Sequence, residues 1–281
     1  MSRANIEIVI IPGSFAQPAP YDILVNGFKA QGYDARVVAL LSANDGTRFP
    51  AATMQDDAAE IRAAVESILD DPEKPRDVVL AVHSYAGFPG SEALKGLNRV
   101  DRSAQGKNTA VIGFVGIASF LPQEGDSLRE VMGVIEGSPA SEDRVPGGYL
   151  ATIPPEFAPF LFNDLDPAEG ARLLATMTRH SSDSYDGKVS YAAWRDIPTL
   201  QIIPAIDLII PVPKQELMYD KAKAAAPEKV TKVVYEGAGH CYLWTPTGVE
   251  RTVADVDKFI KANLWNGTST SPSIALGFLR A

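Results

Sequence analysis

Apolar and β-branched residues gather into six short runs along the chain, at 6–12, 35–40, 77–83, 110–118, 199–205 and 232–237. The runs are continuous rather than alternating, as expected of strands covered on both faces. Between them, amphipathic patterns predict helices near 20–31, 54–69, 86–97, 213–225 and 249–263. This rhythm predicts an α/β fold: a mostly parallel sheet, right-handed crossovers and helices on both faces. It breaks once, over 122–195, where no strand signal appears and Pro, Gly, Phe and acidic residues accumulate around a helical stretch at 167–178. Because the strand pattern resumes at Pro198, this segment reads as a lid or cap inserted above a core made of 1–121 and 196–265. A tail at 266–281 is Ser/Thr-rich and then apolar, and its sequence fits either a packed or a loosely held end.

Composition narrows the partners. With 281 residues, 46% of them hydrophobic, the chain can bury a large core. A formal charge of −9 argues against nucleic acid or an anionic membrane, which require a basic footprint, and favours an uncharged or cationic small molecule. Cys241 is the single cysteine, so there is no intrachain disulfide and no thiolate metal cage. The apolar start is interrupted by Glu7 and is too short for a signal segment, and no stretch approaches the ~20 apolar residues of a membrane span. The expectation is a cytoplasmic monomer or homodimer that needs neither cofactor nor metal.

Ligands of open α/β sheets bind beyond the carboxyl ends of the strands, so polar residues there are the candidates for chemistry. Ser84, in "AVHSYAGF", follows one apolar run and precedes a helical pattern, the strand–turn–helix setting of a nucleophile elbow. Val82 and Ala86 stand where that pattern has glycines, and a serine that merely caps the next helix is the alternative. Asp207, in "PAIDLIIP", lies between Ile206 and Leu208, a poor setting for a solvated carboxylate and a better one for a paired group, an ordinary turn aspartate being the other option. His240, in "YEGAGHCYLW", follows Gly237 and Gly239, which let the backbone turn the imidazole inward. His83 sits inside the elbow, and His180, in "TRHSSDSYDG", reads as solvated. A serine, an aspartate and a histidine in this chain order, each past a successive strand, form a candidate catalytic triad. The turn "IPGSFAQP" offers the N–H of Ser14, and Tyr85 offers its own, as the two donors of an oxyanion hole, although a plain βα turn would share this sequence.

With these residues the chain resembles the α/β-hydrolase superfamily over nearly its whole length. More narrowly it is similar to the branch of plant methyl esterases and hydroxynitrile lyases and their fungal relatives. Pro12-Gly13-Ser14 matches that branch's oxyanion loop, Val82 to Gly87 its elbow, and Asp207 to Pro211 its late aspartate motif. Lyase members carry threonine in place of the loop glycine and lysine directly after the catalytic histidine; Gly13 and Cys241 place this chain on the esterase side of the resemblance. Phe120, Leu121, Tyr149, Phe157, Phe160, Leu161 and Phe162 in and around the lid, with Trp244, offer an apolar or aromatic acyl pocket, about half of them serving as plain lid core; Phe15, Phe120, Phe157, Phe160 and Trp244 are the candidates to touch substrate. The leading expectation is a serine hydrolase of a small ester or lactone. A C–C bond hydrolase or an acyltransferase with the same triad, and a non-catalytic small-molecule receptor, are the alternatives.

Overall fold

A computed structural model describes residues 2–133, 144–145 and 147–266. The strands are β1 (Ile6–Ile11), β2 (Asp34–Val37), β3 (Ala43–Asn44), β4 (Asp77–His83), β5 (Val111–Ile117), β6 (Arg144–Val145), β7 (Tyr149–Leu150), β8 (Arg179–His180), β9 (Thr199–Pro204) and β10 (Val230–Tyr235). Six of them build a wholly parallel sheet in the order β10-β9-β5-β4-β1-β2. The helices are α1 (Asp22–Ala30), α2 (Met54–Leu69), α3 (Gly87–Ala93), α4 (Arg99–Ala104), α5 (Leu128–Met132), α6 (Ala158–Leu161), α7 (Pro167–Leu174), α8 (Val212–Ala225) and α9 (Pro246–Asn266).

The continuous apolar runs are explained by two separate cores. Val9, Ile11, Leu80, Val82 and Phe114 face Ile61 and Val65 of α2 and Phe88 of α3. Their alternate neighbours Ile8, Ile10, Val79, Ala81 and Val115 face Leu24 and Phe28 of α1 and Val253, Val256 and Phe259 of α9. Because successive side chains point to opposite faces, a strand buried on both has no polar face to show. A capping box starts α2, with Asp56 N–H donating to Thr53 Oγ1 and Thr53 N–H to the Asp56 carboxylate.

The chain leaves β1 toward β2 on one side and later returns to β4 on the other. This reversal opens a crevice at the carboxyl ends of β1 and β4, the place where open α/β sheets hold ligands. The segment between β5 and β9 contributes α5, α6 and α7 above it. It also holds short strands that the sequence did not announce: β6 pairs antiparallel with β7, and β8 pairs with β3 from outside the segment. Elements of two residues carry no measurable periodicity, which is why the pattern missed them. The predicted helix at 86–97 divides into a tight turn at Ser84–Ala86 and α3, and α4 follows where no helix was expected. The last strand begins two residues earlier than its apolar run, ending before Gly237, which turns the chain at φ 72°. The predicted tail lies outside the described residues, apart from Asn266 at the end of α9. No helix among the described residues is long and apolar enough to cross a membrane.

Candidate active site

The end of β4 places Ser84 at φ 55°, a left-handed backbone that a residue other than glycine rarely adopts. Such a turn costs about 1–3 kcal/mol and persists only where its surroundings impose it. Here the Ser119 hydroxyl donates to the Ser84 carbonyl at 2.8 Å. Among the described residues Phe15 and Ala118 are the other non-glycine residues of positive φ, and Phe15 lines the same cavity as Ser84. Close packing supports the elbow. A Cβ on Gly87 would stand 2.3 Å from the Phe120 carbonyl oxygen.

Beyond β9 and β10 the loops deliver Asp207 and His240. His240 Nε2 lies 3.1 Å from Ser84 Oγ, and His240 Nδ1 lies 2.9 Å from Asp207 Oδ2. All three are buried. The Asp207 carboxylate also accepts the N–H groups of Ile209 and Ile210 at 2.8 and 2.9 Å and the side-chain amide of Gln215 at 2.9 Å. With its carboxylate so fixed, Asp207 holds the proton of His240 on Nδ1 and leaves Nε2 free as an acceptor facing the serine. An imidazole so oriented is built to take a hydroxyl proton and to be stabilised as the imidazolium.

The three predicted residues are therefore brought together, and both predicted backbone donors, Ser14 and Tyr85, line the same cavity. That cavity measures about 660 Å³. Its wall includes Phe15, Phe120, Phe157, Phe160 and Trp244, all five aromatic candidates, together with Leu161. Leu121, Tyr149 and Phe162 are buried elsewhere in the two cores or the inserted segment. Among the described residues no cluster of three or more His, Cys, Asp or Glu could hold a metal ion.

Several residues of the site carried no clear signal in the sequence. His83 Nε2 donates to the His240 carbonyl at 3.1 Å, its Nδ1 accepts from the Tyr21 hydroxyl at 2.7 Å, and Tyr21 accepts the Gly13 N–H at 2.9 Å. This chain ties the turn after β1 to the backbone of His240. Burial, reinforced by His240, holds the His83 pKa well below the usual imidazole range, so it stays neutral. The Gly13 N–H is consumed by Tyr21, and the next residue, Ser14, lines the cavity. Asp164, from the inserted segment, accepts the Gly239 N–H at 2.8 Å, and Asn163 donates to the Ile206 carbonyl at 2.6 Å, so that segment grips both loops carrying Asp207 and His240.

His180 departs from expectation. It is fully buried rather than solvated, with Nδ1 accepting the Phe15 N–H at 3.4 Å and Nε2 bonded to Ser184 Oγ at 3.0 Å. The polar string around it folds inward because its serines bond to backbone; Ser184 donates to the Ser181 carbonyl at 2.8 Å. Burial pushes the His180 pKa down to about 3.

Residues 8–252 match the model of the Alpha/beta hydrolase family, and the chain belongs to that family. It is 30% identical over 238 residues to the probable hydrolase R7 of Phoma sp., covering 85% of this chain and 92% of that relative. Similarity to the alpha/beta hydrolase nvfD of Aspergillus novofumigatus is 26% over 204 residues, or 73% of this chain and 79% of the relative. Among solved structures, the pyrethroid hydrolase PytH superposes with a TM-score of 0.68 at 19% identity, over 92% of this chain and 98% of the other, which shows a shared fold. Family and the buried His240–Asp207 pair together make this an enzyme of the hydrolase type.

Proposed function

We propose that the protein cleaves a small ester or lactone through an acyl-enzyme on Ser84, as an esterase-side member of the methyl esterase and hydroxynitrile lyase branch. The observation that carries this reading is the strained Ser84 with its hydroxyl 3.1 Å from an imidazole that Asp207 orients. Ser84 Oγ attacks the carbonyl carbon while His240 Nε2 takes its proton. The N–H groups of Ser14 and Tyr85 receive the oxyanion; one such donor is worth about 3 kcal/mol in the transition state. His240 then protonates the leaving alcohol, and the C–O bond to it breaks. Water enters, gives a proton to His240 and attacks the acyl carbon, and the acid departs as Ser84 regains its proton. The aromatic wall of Phe120, Phe157, Phe160 and Trp244 supports an apolar or aromatic acyl group.

A fluorophosphonate probe tests the assignment. Mass mapping is expected to place the label on Ser84 alone, and Ser84→Ala is expected to remove both labelling and hydrolysis of 4-nitrophenyl acetate. Labelling that survives the substitution, or that maps to Ser14 or Ser119, would overturn it.

A further inference from the structure

We propose that Ser14 and Tyr185 form a polar subsite that takes a second, uncharged acceptor oxygen of the substrate, carried close to the scissile carbonyl. The inference rests on Ser84 being the nucleophile and adds a requirement on what Ser84 attacks.

Near Ser84 the cavity wall is largely apolar, with Phe15, Phe120, Ile153, Met177 and Ile209 among its members. Ser14 and Tyr185 interrupt it. They arrive from sequence positions 171 residues apart, and the Tyr185 hydroxyl donates to Ser14 Oγ at 2.7 Å. Tyr185 is held in place by its neighbours, its ring centroid 5.1 Å from that of His180 and 5.6 Å from that of Tyr85. Burial raises the Tyr185 pKa far above its usual value, so the hydroxyl keeps its proton.

The two hydroxyls carry two protons, and the bond between them uses one. The described residues offer the other no acceptor. Ser14 is half-buried at the cavity wall, so its hydroxyl proton is open to a ligand oxygen, and a neutral hydrogen bond made there is worth about 1 kcal/mol. The place is set by the chain: a Cβ on Gly13 would lie 3.1 Å from Ser84 Cβ, so the next residue, Ser14, stands at the same wall as the reacting group. Ser14 thus presents its amide for the oxyanion and, with Tyr185, a hydroxyl proton for a neighbouring oxygen. The charge of that oxygen is set by its surroundings. His180, packed against Tyr185, is neutral, and Arg129, the one Lys or Arg among the described residues that line the cavity, is engaged by Asp186 and by the Ser182 carbonyl rather than held ready to balance an anion. An ether or keto oxygen one or two carbons from the scissile carbonyl meets these conditions.

Two isosteric pairs of 4-nitrophenyl esters read the subsite: methoxyacetate against butanoate, and 3-methoxypropanoate against pentanoate. Within a pair the shape is kept and one CH₂ becomes an acceptor oxygen. Intrinsic reactivity differs within a pair but cancels when the ratio of kcat/KM values is compared between wild type and variant. In at least one pair, Ser14→Ala and Tyr185→Phe are each expected to lower the ratio of ether to hydrocarbon ester about fivefold, the worth of one neutral hydrogen bond. The ratio is independent of how much either variant loses on both esters, and the two substitutions stand on different segments, so misfolding of one leaves the other to decide. Ratios unchanged in both pairs, with Ser84 still labelled by the fluorophosphonate, would overturn the subsite and leave the nucleophile standing. Failure of wild type to turn over any of the four esters, with no label on Ser84, would overturn the nucleophile and the subsite with it.

Discussion

Val82 of β4 lies against Gly90 of α3 so closely that a Cβ on Gly90 would stand 2.6 Å from Val82 Cγ1. A nucleophile elbow crowds strand against helix, and its usual remedy is a glycine two residues before the serine. This chain keeps a β-branched residue there and clears the space from the helix side instead. Gly90→Ala is therefore expected to destabilise the fold by about 1–3 kcal/mol through overpacking, although alanine is the better helix former. Adding Val82→Ala removes the colliding methyl, so the double variant is expected to be more stable than the sum of the two single losses predicts. Urea unfolding of the four proteins measures this coupling, and strict additivity would show that the two residues do not share the space.

Gln215 stands behind the triad. Its amide donates to Asp207 Oδ2 at 2.9 Å and to the Ile210 carbonyl at 2.8 Å, fixing the carboxylate to the turn that begins α8. In the proposed mechanism this makes Gln215 a positioning residue. Gln215→Leu keeps the bulk and removes the donor; a hydrogen bond to a charged group is worth about 1.5–3 kcal/mol, which implies a loss of about tenfold or more in kcat with KM little changed. A merely structural role would lower the melting temperature and leave kcat per folded molecule intact, so both quantities are to be measured.

How far the sequence reached depends on whether a residue's role is set by its own segment or by a partner across the fold. Ser84, Asp207 and His240 were legible because each follows the carboxyl end of a strand, and strands covered on both faces announce themselves. Asp207 was found by a partly mistaken route: its apolar neighbours Ile206 and Leu208 are 41% and 53% exposed while the carboxylate itself turns inward. His180 was misread because a serine-rich string looks solvated until its hydroxyls are seen bonding to backbone and to the imidazole. Gln215 and Gly90 were invisible. Each matters through one contact with another element, and neither helical periodicity nor residue type reveals that contact.

Buried His83 and His180 make stability fall as the solution turns mildly acidic. In the unfolded chain they protonate near pH 6.5, whereas in the folded protein His180 does so only at about 3 and His83 also well below the ordinary range. Between those limits the unfolded state binds more protons, so stability is fully present above pH 6.5 and is lost as pH falls. Asp57 opposes the trend, since burial raises its pKa and the folded state binds its proton first. His180→Gln is expected to reduce the loss between pH 6.5 and 5 by up to ~1.4 kcal/mol per pH unit, whatever its cost at neutral pH. Urea midpoints at pH 7, 6 and 5 give the slope; a variant slope equal to that of the wild type would mean that His180 titrates normally in the folded protein.

In the proposed reading, Gly13 and Cys241 are the positions that favour ester over cyanohydrin chemistry. A threonine at 13 would bring its Cβ within 3.0 Å of His83 Nδ1 and 3.1 Å of Ser84 Cβ, so the wall beside the nucleophile is shaped for a residue without a side chain. Cys241 lines the cavity directly after His240, and burial raises its thiol pKa well above the ordinary value, which keeps it neutral. A lysine there would supply positive charge to a departing cyanide, and this residue cannot. The unmodified protein is therefore expected to hydrolyse 4-nitrophenyl acetate and to release no cyanide from mandelonitrile above the spontaneous background. Gly13→Thr is expected to lower ester turnover, because Ser84 or His83 must shift by a few tenths of an ångström and reactions of this kind are sensitive to such displacements. Cyanide release by the unmodified protein that disappears in Ser84→Ala would place it with the lyases in spite of both positions, and the esterase reading would fall with them.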